Sequence, residues 1–158
     1  MFDQNVREAA ADDRELVMTR RFEAPRALVF KAWTDPAHAI RWWGPRNCPA
    51  IMLEMDPKSG GRWRGCLKST ETGAFKPQSG VFREVRPPER LVFTFGWDEP
   101  EGRGPETLVT IDFLEEGDRT LMRFRQGRFN TAPNCEGHRF GWSSTFDRLE
   151  EVLATQSD

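Results

Sequence analysis

Tyrosine is absent from this 158-residue chain, although it carries twelve phenylalanines and six tryptophans. Large rings without a phenol point to wide apolar walls. Histidine is scarce: only His38 and His138 are present. The three cysteines, Cys48, Cys66 and Cys135, are odd in number and form no C-x-x-C pair. Free thiols in a reducing cytoplasm are the simplest expectation, and so few soft ligands make a structural metal site unexpected. Long apolar runs are missing too. Nothing approaches the ~20 residues of a membrane span, and the opening MFDQNVREAAADDRE has no apolar signal region, so no membrane insertion is expected. Nor is there an excess of positive charge. A formal net charge of -2 and a pI near 5.8 argue against a general nucleic-acid binder, which is usually basic. The cationic clusters at 83–90 and 119–128 have acidic neighbours and strand-like alternation, as on a solvated sheet face. GGRWRG lacks the G-x-x-x-x-G-K-[ST] spacing and leads into no helix, so it is not a phosphate cradle. Nothing points to NAD, flavin or haem, and no cofactor is expected.

What is present is a change of period along the chain. Residues 1–14 read as a flexible lead-in, and 15–158 as a single domain of a size that buries a substantial core. The run from Glu15 to Phe22 is rich in strand formers. Pro25 suits the first turn of a helix, and Leu28, Val29, Ala32 and Trp33 share one helical face. Asp35 and Pro36 are placed to cap and start a second short helix. From about 48 to 127 the period shortens to two. Strands are expected at 49–55, 61–68, 80–86, 90–97, 106–114 and 119–126, joined by turns such as DPKSGG and EEGD. In RLVFTFGW, Leu91, Phe93, Phe95 and Trp97 point one way, and Val92, Thr94 and Gly96 the other. After Phe129 a long helix is expected to about Ala154, capped by Thr131 or Asn134. Its apolar stripe holds His138, Trp142, Phe146, Leu149 and Leu153. About twenty residues at 1.5 Å each span roughly 30 Å, enough to cross a sheet.

The stretch RWWGP at 41–45 ends the second helix. Gly44 accepts the left-handed cap and Pro45 cannot continue the helix. The helix carries Ile40 and Trp43 on one side, so Trp43 is expected to pack inward. Trp42, turned about 100° away, is then expected at a partly exposed rim or a homodimer contact.

Candidate chemistry is sparse. Cys135 and His138 stand at i, i+3 and could pair a thiol with an imidazole, but no third group orients them. His138 alone has a pKa suited to proton transfer; a hydrogen-bonded core histidine is the competing reading. Glu54 and Asp56 share a strand face, as do Arg62 and Arg64, which leave Trp63 on the other side; pairing of an arginine with Glu54 across the sheet is the expected structural role.

Several motifs together resemble one known family: ELVMTRRFEAPRALVFKAWTDPAHAIRWWGP, GGRWRG, PPERLVFTFGWDE, TLVTIDFLEEGDRTLMRFRQ and HRFGWSSTFDRLEEVL. In this order, over about residues 15–153, they are similar to prokaryotic relatives of the activator of the heat-shock-protein-90 ATPase, and to the C-terminal domain of that two-domain co-chaperone. The resemblance implies an α+β helix-grip fold of the START and birch-pollen-allergen superfamily. In it, a curved antiparallel sheet of about seven strands wraps a long C-terminal helix, with two short helices after the first strand. It agrees with the element order read from the residues.

Fold alone does not fix function. The leading expectation is a small hydrophobic or aromatic ligand bound between the last helix and the sheet. Trp63, Phe93, Phe95, Trp97, Trp142 and Phe146 are its candidate walls. Phe30 and Trp43 are candidates for the mouth, and His138 for the polar end. A protein-interaction or co-chaperone-like module, and a cyclase- or hydrolase-like enzyme using His138, are the alternatives.

Overall fold

The protein's structure is a computed structural model that describes residues 13–155; the lead-in expected at 1–14 thus falls almost wholly outside the described residues. The chain enters as strand β1, Leu16–Phe22, and passes into helix α1, Arg26–Thr34, and helix α2, Pro36–Ala39. Strands β2, Ala50–Met55, β3, Arg62–Lys68, β4, Phe75–Arg86, and β5, Arg90–Glu99, follow. A two-residue strand β6, Gly102–Arg103, precedes β7, Thr107–Glu116, and β8, Arg119–Gly127. Helix α3, Ala132–Thr155, closes the order.

All strand pairs are antiparallel, in the order β1-β8-β7-β5-β4-β3-β2, with β6 pairing only to β5. The strands form a curved, unclosed sheet, and α3 lies across its concave face in a helix-grip arrangement. Because β1 and β2 are opposite edges, α1 and α2 carry the chain from one side of the sheet to the other. Two features were not expected from the sequence. Strand β4 begins at Phe75 rather than near Gly80, and β6 exists at all. In both cases the partner strand supplies what local pattern lacks: Phe75 pairs with Lys68, and Arg103 with Asp98.

The alternation expected in β5 sets side-chain direction but not burial. Val92 and Thr94 are buried like Phe93 and Phe95. Gly96 lies under the Arg103 guanidinium, 2.7 Å from where a Cβ would sit. The β5–β6 hairpin thus covers part of the outer face. Elsewhere that face is solvated and several of its cations are paired. Arg90 bonds Asp112 at 2.8 Å and Glu84 at 3.2 Å, and Arg64 bonds Glu54 across β2–β3 at 2.8 Å.

The core is a continuous aromatic cluster. Trp33 touches Trp42, Trp43, Phe93, Phe124, Trp142 and Phe146, with ring centroids 4.7–6.4 Å apart. Edge-to-face and tilted contacts of this kind add to the burial of the rings. Trp63 finds its place because Gly80 stands opposite it; a Cβ there would come within 2.4 Å of the indole nitrogen.

RWWGP corrects one expectation. Trp42 is neither at a rim nor at a dimer contact: it is 0% exposed. The helix closes at Ala39, and the next residues form turns in which the N–H groups of Trp42 and Trp43 both donate to the Ala39 carbonyl, at 3.2 and 3.0 Å. Once the helix unwinds, a 100° step no longer separates the two rings, and both turn inward. Trp42 donates its indole N–H to the Ala32 carbonyl at 3.1 Å. Gly44, at φ 89°, makes the turn, and a Cβ there would sit 2.5 Å from the Cys48 carbonyl. Arg148 of α3 then holds the turn, donating to the carbonyls of Arg41, Trp43 and Gly44 at 3.0, 3.1 and 2.7 Å. Partial burial holds the Arg148 pKa below the usual arginine value.

Candidate functional site

A cavity of about 550 Å³ opens between the first half of α3 and the β3–β4–β5 end of the sheet. Its size is within the range of pockets that hold small organic molecules, roughly 300–1,000 Å³. The turn at 43–48 forms one wall, and the β3–β4 hairpin residues Ser69, Glu71 and Thr72 flank the mouth. On the helix side stand Asn134, Gly137, His138, Gly141, Trp142 and Thr145. Gly137 and Gly141 lie one turn apart, and a Cβ at either would meet nothing within 4 Å. The space beneath the helix is open there because the helix presents no side chain.

Five of the sequence candidates line this cavity: Trp43, Phe95, Trp97, His138 and Trp142. The other four do not. Phe30 packs edge-on against Phe113, with centroids 5.4 Å apart. Phe146 is 0% exposed between Phe124 and Trp142. Trp63 and Phe93 touch each other deeper in the sheet, beside a void of only about 10 Å³. All four lie in the core, Trp63 and Phe93 on the inward rows of their strands and Phe30 and Phe146 on helices. What separates them from the liners is position along the strands and helix: the far end of the grip is filled by Trp33 and its neighbours, and only the near end is empty.

The polar atoms around the cavity follow a single pattern. Trp97 donates its indole N–H to His138 Nε2 at 3.0 Å. An indole can only donate, so Nε2 must be the bare nitrogen of a neutral ring, and Nδ1–H donates to the Asn134 carbonyl at 2.9 Å. Burial pushes the His138 pKa below the ordinary histidine value, while the bond to Asn134 opposes this. With both nitrogens engaged inside the fold, neither serves Cys135. Trp142 donates to Gln126 Oε1 at 2.7 Å, and Trp43 donates to Gln78 Oε1 at 2.6 Å. The tryptophan and histidine walls therefore offer a ligand ring faces and C–H edges.

The sequence reading missed Gln78, Asn134, Lys76 and the paired glycines. Gln78 had a signal that could have found it: a polar residue on the face of β4 that also carries Phe82. Burial of Cys48, another liner, pushes its thiol pKa up, away from a reactive thiolate. Among the described residues no group of three or more His, Cys, Asp or Glu side chains is placed to hold a metal ion. Among the same residues no helix is long and apolar enough to cross a membrane.

The sheet, the gripped helix and the cavity between them define a START-like helix-grip domain, a fold compatible with holding a ligand in an apolar cavity. The chain belongs to the family of Activator of Hsp90 ATPase homolog 1-like proteins, whose family model matches residues 23–154. Solved structures agree. An AHSA1 protein from Silicibacter pomeroyi is 26% identical, with a TM-score of 0.79 over 89% of this chain and 97% of that one. A Chromobacterium violaceum protein at 21% identity reaches a TM-score of 0.84 over 92% and 100% of the two chains. A Rhodobacter sphaeroides protein, also 21% identical, reaches 0.80 over 95% and 99%. No curated protein matches the chain.

Proposed function

We propose that the protein binds a small aromatic or otherwise flat apolar ligand in the cavity between the first half of α3 and the β3–β4–β5 end of the sheet. The observation that carries this reading is the open volume itself, about 550 Å³ walled by Trp43, Phe95, Trp97 and Trp142. A core built only for stability would bring these rings together and take their remaining apolar surface out of water. Gly137 and Gly141 support the same reading. Each weakens the helix by about 1 kcal/mol relative to alanine, and each leaves the space clear. Binding here draws on apolar burial, at about 25 cal/mol per Å² removed from water. The engaged nitrogens of His138 favour this binding role over acid–base catalysis by the same residue.

The test is a titration with ethylnaphthalene, a rigid aromatic probe, followed by tryptophan fluorescence and calorimetry. The native chain should bind it saturably at one site, and Gly141→Leu, which projects a side chain into the cavity, should weaken binding at least about tenfold. Binding that is absent, or indifferent to Gly141→Leu, would sink the proposal.

A further inference from the structure

Two buried glutamines accept indole protons, and they differ in one respect. Gln126, 0% exposed, takes the Trp142 N–H on Oε1 and donates from Nε2 to the Thr107 hydroxyl at 2.9 Å. Its amide is engaged at both ends, as expected of a polar group that belongs to the core. Gln78 is 3% exposed and takes the Trp43 N–H on Oε1 at 2.6 Å. Because an indole cannot accept, that bond fixes which way the amide faces. The Nε2 end of Gln78 has no protein partner among the described residues, and the residue lines the cavity. That end of the amide is open to the cavity, where water or a ligand oxygen can accept from it.

The other polar groups sharpen what that acceptor is. Trp43, Trp97 and Trp142 have no free indole N–H, and both nitrogens of His138 are engaged. A ligand with a phenol or amine head would meet Gln78 Oε1 and His138 Nε2, which already hold indole protons, and a Thr145 hydroxyl whose own proton goes to the Gly141 carbonyl. A ligand oxygen, by contrast, meets two unclaimed N–H bonds. Charge is balanced nearer the mouth, where Lys76 and Glu71 both line the cavity, so the rim does not select a net anion.

Resting on the ligand-binding reading above, we infer that Gln78 is a specificity-determining residue, and that the ligand is a neutral aromatic compound bearing a carbonyl-type oxygen, bound oxygen-first with that oxygen accepting from Gln78 Nε2. Lys76 lies two residues before Gln78 on β4 and lines the same cavity, nearer the hairpin, where the trailing end of the ligand would rest.

A matched pair of probes tests this. Acetylnaphthalene and ethylnaphthalene have similar shape, and only the ketone carries an acceptor. The native chain should bind the ketone about fivefold to tenfold more tightly, the net effect of one hydrogen bond to a neutral group. Gln78→Glu keeps an acceptor for the Trp43 indole but removes both N–H donors. It should abolish the preference, read as the ratio of the two probes' affinities within the variant. A spectroscopic readout needs no variant: the carbonyl stretch of the bound ketone should fall to lower frequency than in hexane. Equal binding of the two probes by the native chain, a preference that survives in Gln78→Glu, or an unshifted carbonyl stretch would each overturn the inference while leaving the cavity reading intact. Failure of both probes to bind would overturn the two together.

Discussion

Replacing Gly137 and Gly141 with alanine is expected to make the protein more stable and its cavity a poorer binder. Both glycines lie inside the 24-residue helix α3, with ordinary helical neighbours on either side. A helix-interior glycine costs about 1 kcal/mol relative to alanine, mostly through the backbone freedom it retains when unfolded. Steric cost does not offset the gain, because a Cβ at either position meets nothing within 4 Å. The double variant should therefore gain about 2 kcal/mol, provided two small methyl groups one turn apart act independently. For a chain of this length that corresponds to a rise in Tm of roughly 4–8 °C. Urea titration followed by tryptophan fluorescence measures the gain, and an unchanged slope against denaturant would locate it in stability rather than in a changed unfolded state. Affinity for ethylnaphthalene should fall in the same variant, since the new methyl groups occupy the space a ligand needs. This is the trade expected when a site is kept open at the expense of the scaffold. A destabilised double variant would refute the reasoning, for it would mean that the space beneath the helix is already filled.

Three further outcomes follow from the same geometry. Burial depresses the His138 pKa, so the unfolded chain takes up a proton near pH 6.5 that the folded chain refuses. That contribution to stability is complete above about pH 6.5 and is lost as the pH falls below it; native protein should lose more stability than His138→Gln between about pH 7.5 and 5, and equal slopes would reject the assignment. Trp42→Ala should cost about 3–5 kcal/mol, as for other large rings deleted from a core, with no change in oligomeric state by light scattering; a small cost joined to a shifted oligomer would restore a rim position. Arg148→Met keeps the aliphatic stem but loses the bonds to the carbonyls of residues 41, 43 and 44. It should cost about 2 kcal/mol and speed hydrogen exchange in the 41–48 turn, and unchanged exchange there would show that the clamp does not hold the turn.

Much of the fold was legible because local pattern and tertiary structure agree. The period-two rows of β3, β5, β7 and β8 and the long stripe of α3 are repeated signals, and such signals survive small errors at element ends. RWWGP was misread because its argument assumed one more helical turn. The buried side of Trp42 depends on where the helix stops, and past Ala39 the ring meets Trp33 and the Ala32 carbonyl of α1. The candidate site was half legible for a related reason. Alternation in the strands and helical spacing in α3 say which residues face the interior of the grip, and the candidates on those elements do face it. Neither carries information on how far along the grip each one stands.

The amino-acid sequence by itself determined the order of the main strands and helices, the inward rows of rings and the left-handed turn at Gly44, because these depend on periodicity, steric preference and nearest neighbours; it placed the end of the second helix one turn too late. Only the tertiary structure decided that Phe30, Trp63, Phe93 and Phe146 fill one end of the grip while Trp43, Phe95, Trp97 and Trp142 enclose a space at the other. It also decided that Gln78, unremarked in the sequence, meets an indole at one end of its amide and open volume at the other. A cavity is a difference between packed volumes contributed by β3, β4, β5 and α3 together, and a hydrogen bond left unmade is visible only once every neighbour has been placed.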